Sequence, residues 1–112
     1  MLHVIDARSQ AMHPTLNWRG RSGRLYAMEP ENLERFVLKT GEVYLIGLRE
    51  LVLWVGSAED LIADYQSRSR FRLALDCADR AYRVDAPGDE LERATTVWDL
   101  EGGEPLAELS AA

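Results

Sequence analysis

The stretch from Gly41 to Gly56 constrains the fold of this chain more than any other. Val43-Tyr44-Leu45-Ile46 and Leu51-Val52-Leu53-Trp54-Val55 are two runs of aliphatic, β-branched and aromatic residues, separated only by Gly47-Leu48-Arg49-Glu50. So short a gap suits a tight antiparallel hairpin. The second run is apolar at every position, which predicts a central strand covered on both faces. Ser57 then reads as a helix N-cap, with Asp60 three positions on approximating a capping box. A hairpin that feeds a covering helix is the expected nucleus of the fold.

The helix itself changes face. Ala58, Leu61, Ile62 and Tyr65 share one side, whereas Phe71, Ala74, Leu75 and Ala78 share another, and the rotation falls at Ser67-Arg68-Ser69-Arg70. The Arg, Leu and Ala content favours one principal helix over about residues 58–78, broken at the rotation or burying two faces. Alternation of Phe71, Leu73, Leu75 and Cys77 leaves a strand there as the other reading. Elsewhere, Gly23 to Met28 and Ala81 to Val84 read as strands, and Pro30 to Phe36 as a short helix. Asp89 to Ala94 reads as a helical turn and Thr95 to Leu100 as a last strand, closed by Gly102-Gly103. Residues 1–22 lack a period and are expected as an irregular arm, residues 23–101 as the core domain and residues 102–112 as a tail. The fold class is α+β, with a mixed or mostly antiparallel sheet of roughly four or five strands and one principal helix packed on it.

At 112 residues the chain has room for one hydrophobic core. Its longest apolar run, Leu51 to Val55, is strand-sized, so no membrane span is expected. No secretory signal is read at the N-terminus, and the single cysteine, Cys77, cannot form an internal disulfide, so a cytoplasmic setting is expected. The net charge of −6 argues against nucleic acid as a partner. Within that total, residues 1–28 and 67–83 each carry +3, while residues 29–66 carry −5 and residues 84–112 carry −7. Basic stretches of this kind pair with acidic ones once the chain folds.

Residues able to do chemistry are few. His3 and His13 stand alone in the arm and Cys77 has no cysteine nearby, so neither a metal site nor a cofactor is expected. No nucleophile elbow, phosphate loop or dinucleotide fingerprint is present. Trp18 is the aromatic that no periodicity demands. It stands beside Arg19, Arg21 and Arg24, the composition of an interface anchor, and these four residues are the expected partner-binding group. Arg68, Arg70 and Arg72 are the expected anion-binding group.

From Gly41 to about Arg72 the order Gly-x-Val-Tyr, turn, Val-Leu-Trp-Val-Gly and Ser-Ala-Glu-Asp-Leu resembles the opening of GIY-YIG nuclease domains. Tyr44 matches the first motif tyrosine, Trp54-Val55-Gly56 the second motif and Asp60-Leu61 the helix entry. The departures concern the chemistry. Glu42 is inserted in the first motif, Trp54 replaces a tyrosine, and the phosphate-steadying arginine that the resemblance implies would fall near Ala63 or Asp64, of which Asp64 carries the opposite charge. A carboxylate there raises the barrier that a guanidinium lowers. The resemblance therefore implies a degenerate, non-nuclease relative; a residual phosphodiesterase activity would have to use Tyr44, Arg68 and Arg70. The same hairpin also looks like the central strands of gelsolin-type domains. The leading expectation is a non-catalytic module that binds another protein or itself, with the phosphodiesterase and a small-anion sensor as alternatives.

Overall fold

The computed structural model describes residues 16–85 and 88–106. In chain order these form β1 (Leu16–Arg19), β2 (Leu25–Glu31), a single 3-10 turn (Leu33–Arg35), β3 (Val43–Leu48) and β4 (Leu51–Ser57). There follow α1 (Ala58–Ala63), α2 (Tyr65–Cys77), β5 (Arg80–Asp85), α3 (Glu90–Glu101) and β6 (Glu104–Pro105). The strands make one curled antiparallel sheet in the order β4-β3-β5-β2-β1-β6. No helix among the described residues is long and apolar enough to cross a membrane.

Burial on β3 explains the layering. Val43 and Leu45 point to one face, and Tyr44 and Ile46 to the other, and all four are buried. Strand residues alternate between faces, so a strand apolar at consecutive positions requires cover on both. On one side the cover is α3, whose Leu100 packs with Trp18, Met28, Leu45, Val55 and Tyr82. On the other it is α2 together with the segment after β2, where Phe36 and Phe71 pack with Tyr44, Ile46 and Trp54. The Trp54 ring meets Phe71 edge-on with centroids 4.7 Å apart, and its Nε1 donates to Ser67 Oγ at 3.2 Å. Gly56 makes room for that indole, because a Cβ there would lie 2.5 Å from the ring.

The hairpin forms as the sequence predicts, with Leu48 opposite Leu51 and only Arg49-Glu50 between them. Ser57 also caps α1 through a reciprocal capping box with Asp60. Other expectations are corrected. β4 is the edge of the sheet rather than its centre; its uninterrupted apolar run reflects cover by helices above and below, not pairing on both sides. Among the described residues six strands and three helices replace the smaller count, because four-residue β1 and two-residue β6 pair with each other and extend the sheet.

The principal helix is two helices, broken at Asp64 rather than at Ser67 to Arg70. Asp64 is extended (φ −130°, ψ 113°) and its carboxylate caps α2 by accepting Gln66 N–H at 3.0 Å. Residues 71–77 are helical, which settles them against the strand reading. Pro30 does not open a helix but pairs with Tyr82 in β2, beyond the reach of β1, where its missing N–H costs no ladder bond on that side. Thr95 to Leu100 belongs to α3, which starts at an Asp89–Glu92 capping box and buries Thr96, Asp99 and Leu100 at helical spacing. Of the expected arm, Leu16–Arg19 is a strand because Leu16 and Trp18 turn inward while Asn17 and Arg19 face solvent; residues 1–15 lie outside the described residues.

Two substitutions test this architecture by urea denaturation followed by circular dichroism. Ser57→Ala removes the acceptor of the capping box and is expected to cost about 1 kcal/mol. Leu45→Ala empties the layer beneath α3 and is expected to cost about 2–5 kcal/mol.

Candidate functional site

The stretch from Trp18 to Arg24 is occupied internally. Trp18 is 1% exposed, with its ring 6.2 Å from that of Tyr82, so the indole offers a partner no surface. Arg19 pairs with Glu104 at 2.9 Å, Arg21 lies 4.4 Å over the ring of Trp98, and Arg24 lies 5.0 Å over that of Tyr26. The β1–β2 loop closes around the end of α3. Asp99, 3% exposed, accepts Ser22 N–H at 2.7 Å, Ser22 Oγ–H at 2.7 Å and Tyr26 O–H at 2.8 Å, and its own carbonyl accepts Arg21 N–H at 3.0 Å. Gly20 is required by this approach, since a Cβ there would fall 2.4 Å from the carboxylate. Burial pushes the Asp99 carboxyl up, but the Ser22 and Tyr26 hydrogen bonds and the Arg21 charge outweigh it and hold it below its ordinary value. This loop is a clasp between the β1–β2 hairpin and α3.

The remaining expected residues are not brought together. Tyr44 is buried, edge-on to Phe36, and its hydroxyl accepts Lys39 N–H at 3.0 Å. Arg68 is turned back onto the end of α1, donating to the carbonyls of Leu61 at 2.7 Å and Ile62 at 3.3 Å. Arg70 projects about 200° round α2 from its neighbours Arg68 and Arg72, which share a helix face. The three arginines therefore do not converge on one anion. Cys77 is exposed, and no cluster of three metal-ligating side chains occurs among the described residues.

A different feature is the outer edge of β4, exposed or half-buried over Leu51, Val52 and Leu53 and buried from Trp54 to Ser57, where Ser57 N–H donates to Asp60 Oδ2 at 2.9 Å. Among the described residues β4 pairs with β3 alone, and no other strand lies along its outer side. Along this edge runs a groove of about 350 Å³, floored by Val52, Leu53, Trp54 and Val55. Asp60, Asp64, Ser67 and Arg70 form its α1–α2 wall, and Val97 and Glu101 form its α3 wall. The groove continues at the Leu51 end into an apolar hollow lined by Leu53, Leu73, Ala74 and Cys77, and at the Ser57 end toward Arg93. A register shift beside Leu53 kinks the strand without closing its edge.

A larger hollow of about 500 Å³ lies over β1, β5 and β6. Two of its three charged groups are already engaged, since Arg80 binds Asp79 at 2.8 and 3.2 Å and Glu104 holds Arg19; the third, Glu50, is exposed.

The sequence concealed the groove because side-chain pattern reports which faces of a strand are covered and is silent on which sides are hydrogen-bonded. No family model, curated protein or solved structure matches the chain.

The clasp makes a pH-dependent prediction. A carboxyl whose folded pKa is depressed stabilises the protein above the unfolded value and loses that contribution as pH falls through the folded one. Stability is therefore expected to decline below about pH 4, and Asp99→Asn to remove that part of the decline in urea titrations across pH 2–6. Asp99→Ala strands the Ser22 and Tyr26 donors and is expected to cost about 3 kcal/mol at pH 7.

Proposed function

We propose that this chain is a non-catalytic protein-interaction module that binds by strand addition at the free edge of β4. One observation carries the reading: a seven-residue edge strand, Leu-Val-Leu-Trp-Val-Gly-Ser, holds no charge and no proline. Edge strands that are to remain unpaired are shortened, charged or broken by proline. The opposite edge follows that rule, since β6 is two residues long and ends in Pro105. β4 does not, and the flanks of α1–α2 and α3 line a groove along it. Main-chain hydrogen bonds would supply affinity and the groove walls selectivity. The residues of the phosphodiesterase alternative have other occupations, Tyr44 beneath Phe36 and Arg68 on the α1 carbonyls. The partner-binding role expected of Trp18 passes to the β4 edge.

The test uses a synthetic peptide of the β4 sequence, Leu51 to Ser57, flanked by lysines and added in large excess. Amide hydrogen exchange read by NMR is expected to slow at alternate β4 positions of the folded protein. Leu53→Lys, whose half-buried side chain can carry its ammonium to solvent, is expected to retain the fold and abolish the effect. A peptide that leaves β4 exchange unchanged, or slows it equally in Leu53→Lys, would refute strand addition.

A further inference from the structure

We infer that the segment docked on β4 is a short basic one, a lysine- or arginine-bearing stretch of another protein with an aliphatic residue between its cations. This rests on the docking reading above and adds the class of partner. Residues along β4 are exposed or half-buried only over Leu51, Val52 and Leu53. Main-chain pairing there is short, so discrimination between partners falls to the side chains of the groove.

Those side chains carry an unbalanced charge. Asp60, Asp64 and Glu101 line the groove with Arg70, three carboxylates to one guanidinium. None of the four takes part in an ion pair among the described residues. Asp60 uses Oδ2 for the Ser57 N–H and Oγ–H, and Asp64 uses Oδ1 for the Gln66 N–H. Each keeps its other carboxylate oxygen free of hydrogen bonds among the described residues. Asp64 N–H donates to the Asp60 carbonyl at 2.9 Å, so the two side chains stand one helical turn apart, where like charges repel. Elsewhere carboxylates meet cations: Arg83 gathers Glu29, Glu31 and Glu42, and Arg80 binds Asp79. The groove has carboxylates left over, and a cation docked there offsets a repulsion that the folded chain retains.

The aliphatic residue follows from the hollow beside Leu53. It holds about 240 Å³ and is lined by Leu53, Leu73, Ala74 and Cys77, with Arg70 as its one charged group. Successive residues of an extended segment point to opposite faces. A residue entering this hollow lies on the α2 side, so its neighbours point to the α3 side, where Glu101 stands. The residue two positions on returns to the α1–α2 side, where Asp60 and Asp64 stand. Arg70 lines both groove and hollow and repels a cation from the hollow itself. An acidic segment would meet like charge on both walls, and a wholly apolar one would leave the carboxylates unmatched.

The test compares the peptide of the preceding experiment, Leu51 to Ser57 flanked by lysines, with the same peptide flanked by glutamates. Each is titrated while β4 amide exchange is followed by NMR. The lysine peptide is expected to bind about tenfold tighter at low salt, and the preference to shrink to about twofold in about 0.5 M sodium chloride. Asp64→Asn/Glu101→Gln takes the groove from a charge of −2 to neutral and is expected to abolish the preference; asparagine retains the α2 cap. Arg70→Gln takes the groove to −3 and is expected to widen the preference by about threefold. Glu34→Gln/Asp85→Asn removes the same charge from residues that line neither the groove nor the hollow and is expected to leave the preference unchanged. A circular dichroism spectrum shared with the original chain identifies each variant as folded. Equal binding of the two peptides, a preference that survives Asp64→Asn/Glu101→Gln, or one lost equally in Glu34→Gln/Asp85→Asn would overturn the basic-partner inference and leave docking at β4 standing. If neither peptide alters β4 exchange, both readings fall together.

Discussion

Double-faced burial of β3 is the constraint on which the rest of the structure depends. Val43 and Leu45 on one side and Tyr44 and Ile46 on the other leave neither face of the sheet free to meet water. Each face therefore needs a helix, and the chain supplies them in order. α1 and α2 follow β4 directly and return across one face, while α3 follows β5 and crosses the other. Both helices lie over the β3–β4 half of the sheet, and the groove along β4 is the space between their flanks. The candidate site is thus a by-product of how the core must be covered.

The clasp at Asp99 sets how firmly one wall of that groove is held. α3 touches the sheet mainly through Val97 and Leu100, and packing alone would let a helix of that length shift or roll. Three hydrogen bonds to a single buried carboxylate, from Ser22 and Tyr26, tie its last turn to the β1–β2 hairpin at the far side of the sheet. Arg21 stacked on Trp98 adds a second tie on the solvent side of the same turn. Val97 and Glu101 sit within one turn of Asp99, so the hairpin's loop positions the α3 wall without touching the groove. Its arginines and glycines, which look like an interface in sequence, serve the interior of the fold.

What was legible in the sequence is what is decided locally. The β3–β4 hairpin and the Ser57–Asp60 capping box each depend on residues a few positions apart, and both appear where the residue pattern puts them. The misreadings share a physical origin in tertiary context. Thr-Thr-Val-Trp favours a strand by propensity, yet the Asp89 cap and the burial of Thr96, Asp99 and Leu100 make it part of α3. Trp18 stands in a four-residue alternation too short to register, and its indole is inside because β2 and β6 pair on either side of it. The uninterrupted apolar run of β4 reports two covered faces correctly, but edge and centre give the same side-chain signature. Asp64, Arg70 and Glu101 are visible as residues; that they line one groove follows only from the fold.

The same double cover explains why β4 lacks the usual protection of an edge. At Trp54 or Val55 a gatekeeper charge would point under α2 or under α3, where desolvating it costs more than an unpaired edge does. Protection must therefore come from the flanking helices, and there the charges are of both signs: Asp60, Asp64 and Arg70 on one wall, Arg93 and Glu101 on the other. A wall of alternating sign repels in some registers and attracts in others, which is how charge patterns select a partner. Backbone pairing along a strand is nearly blind to sequence, so on the proposed reading β4 would supply the adhesion and the helix flanks the selectivity.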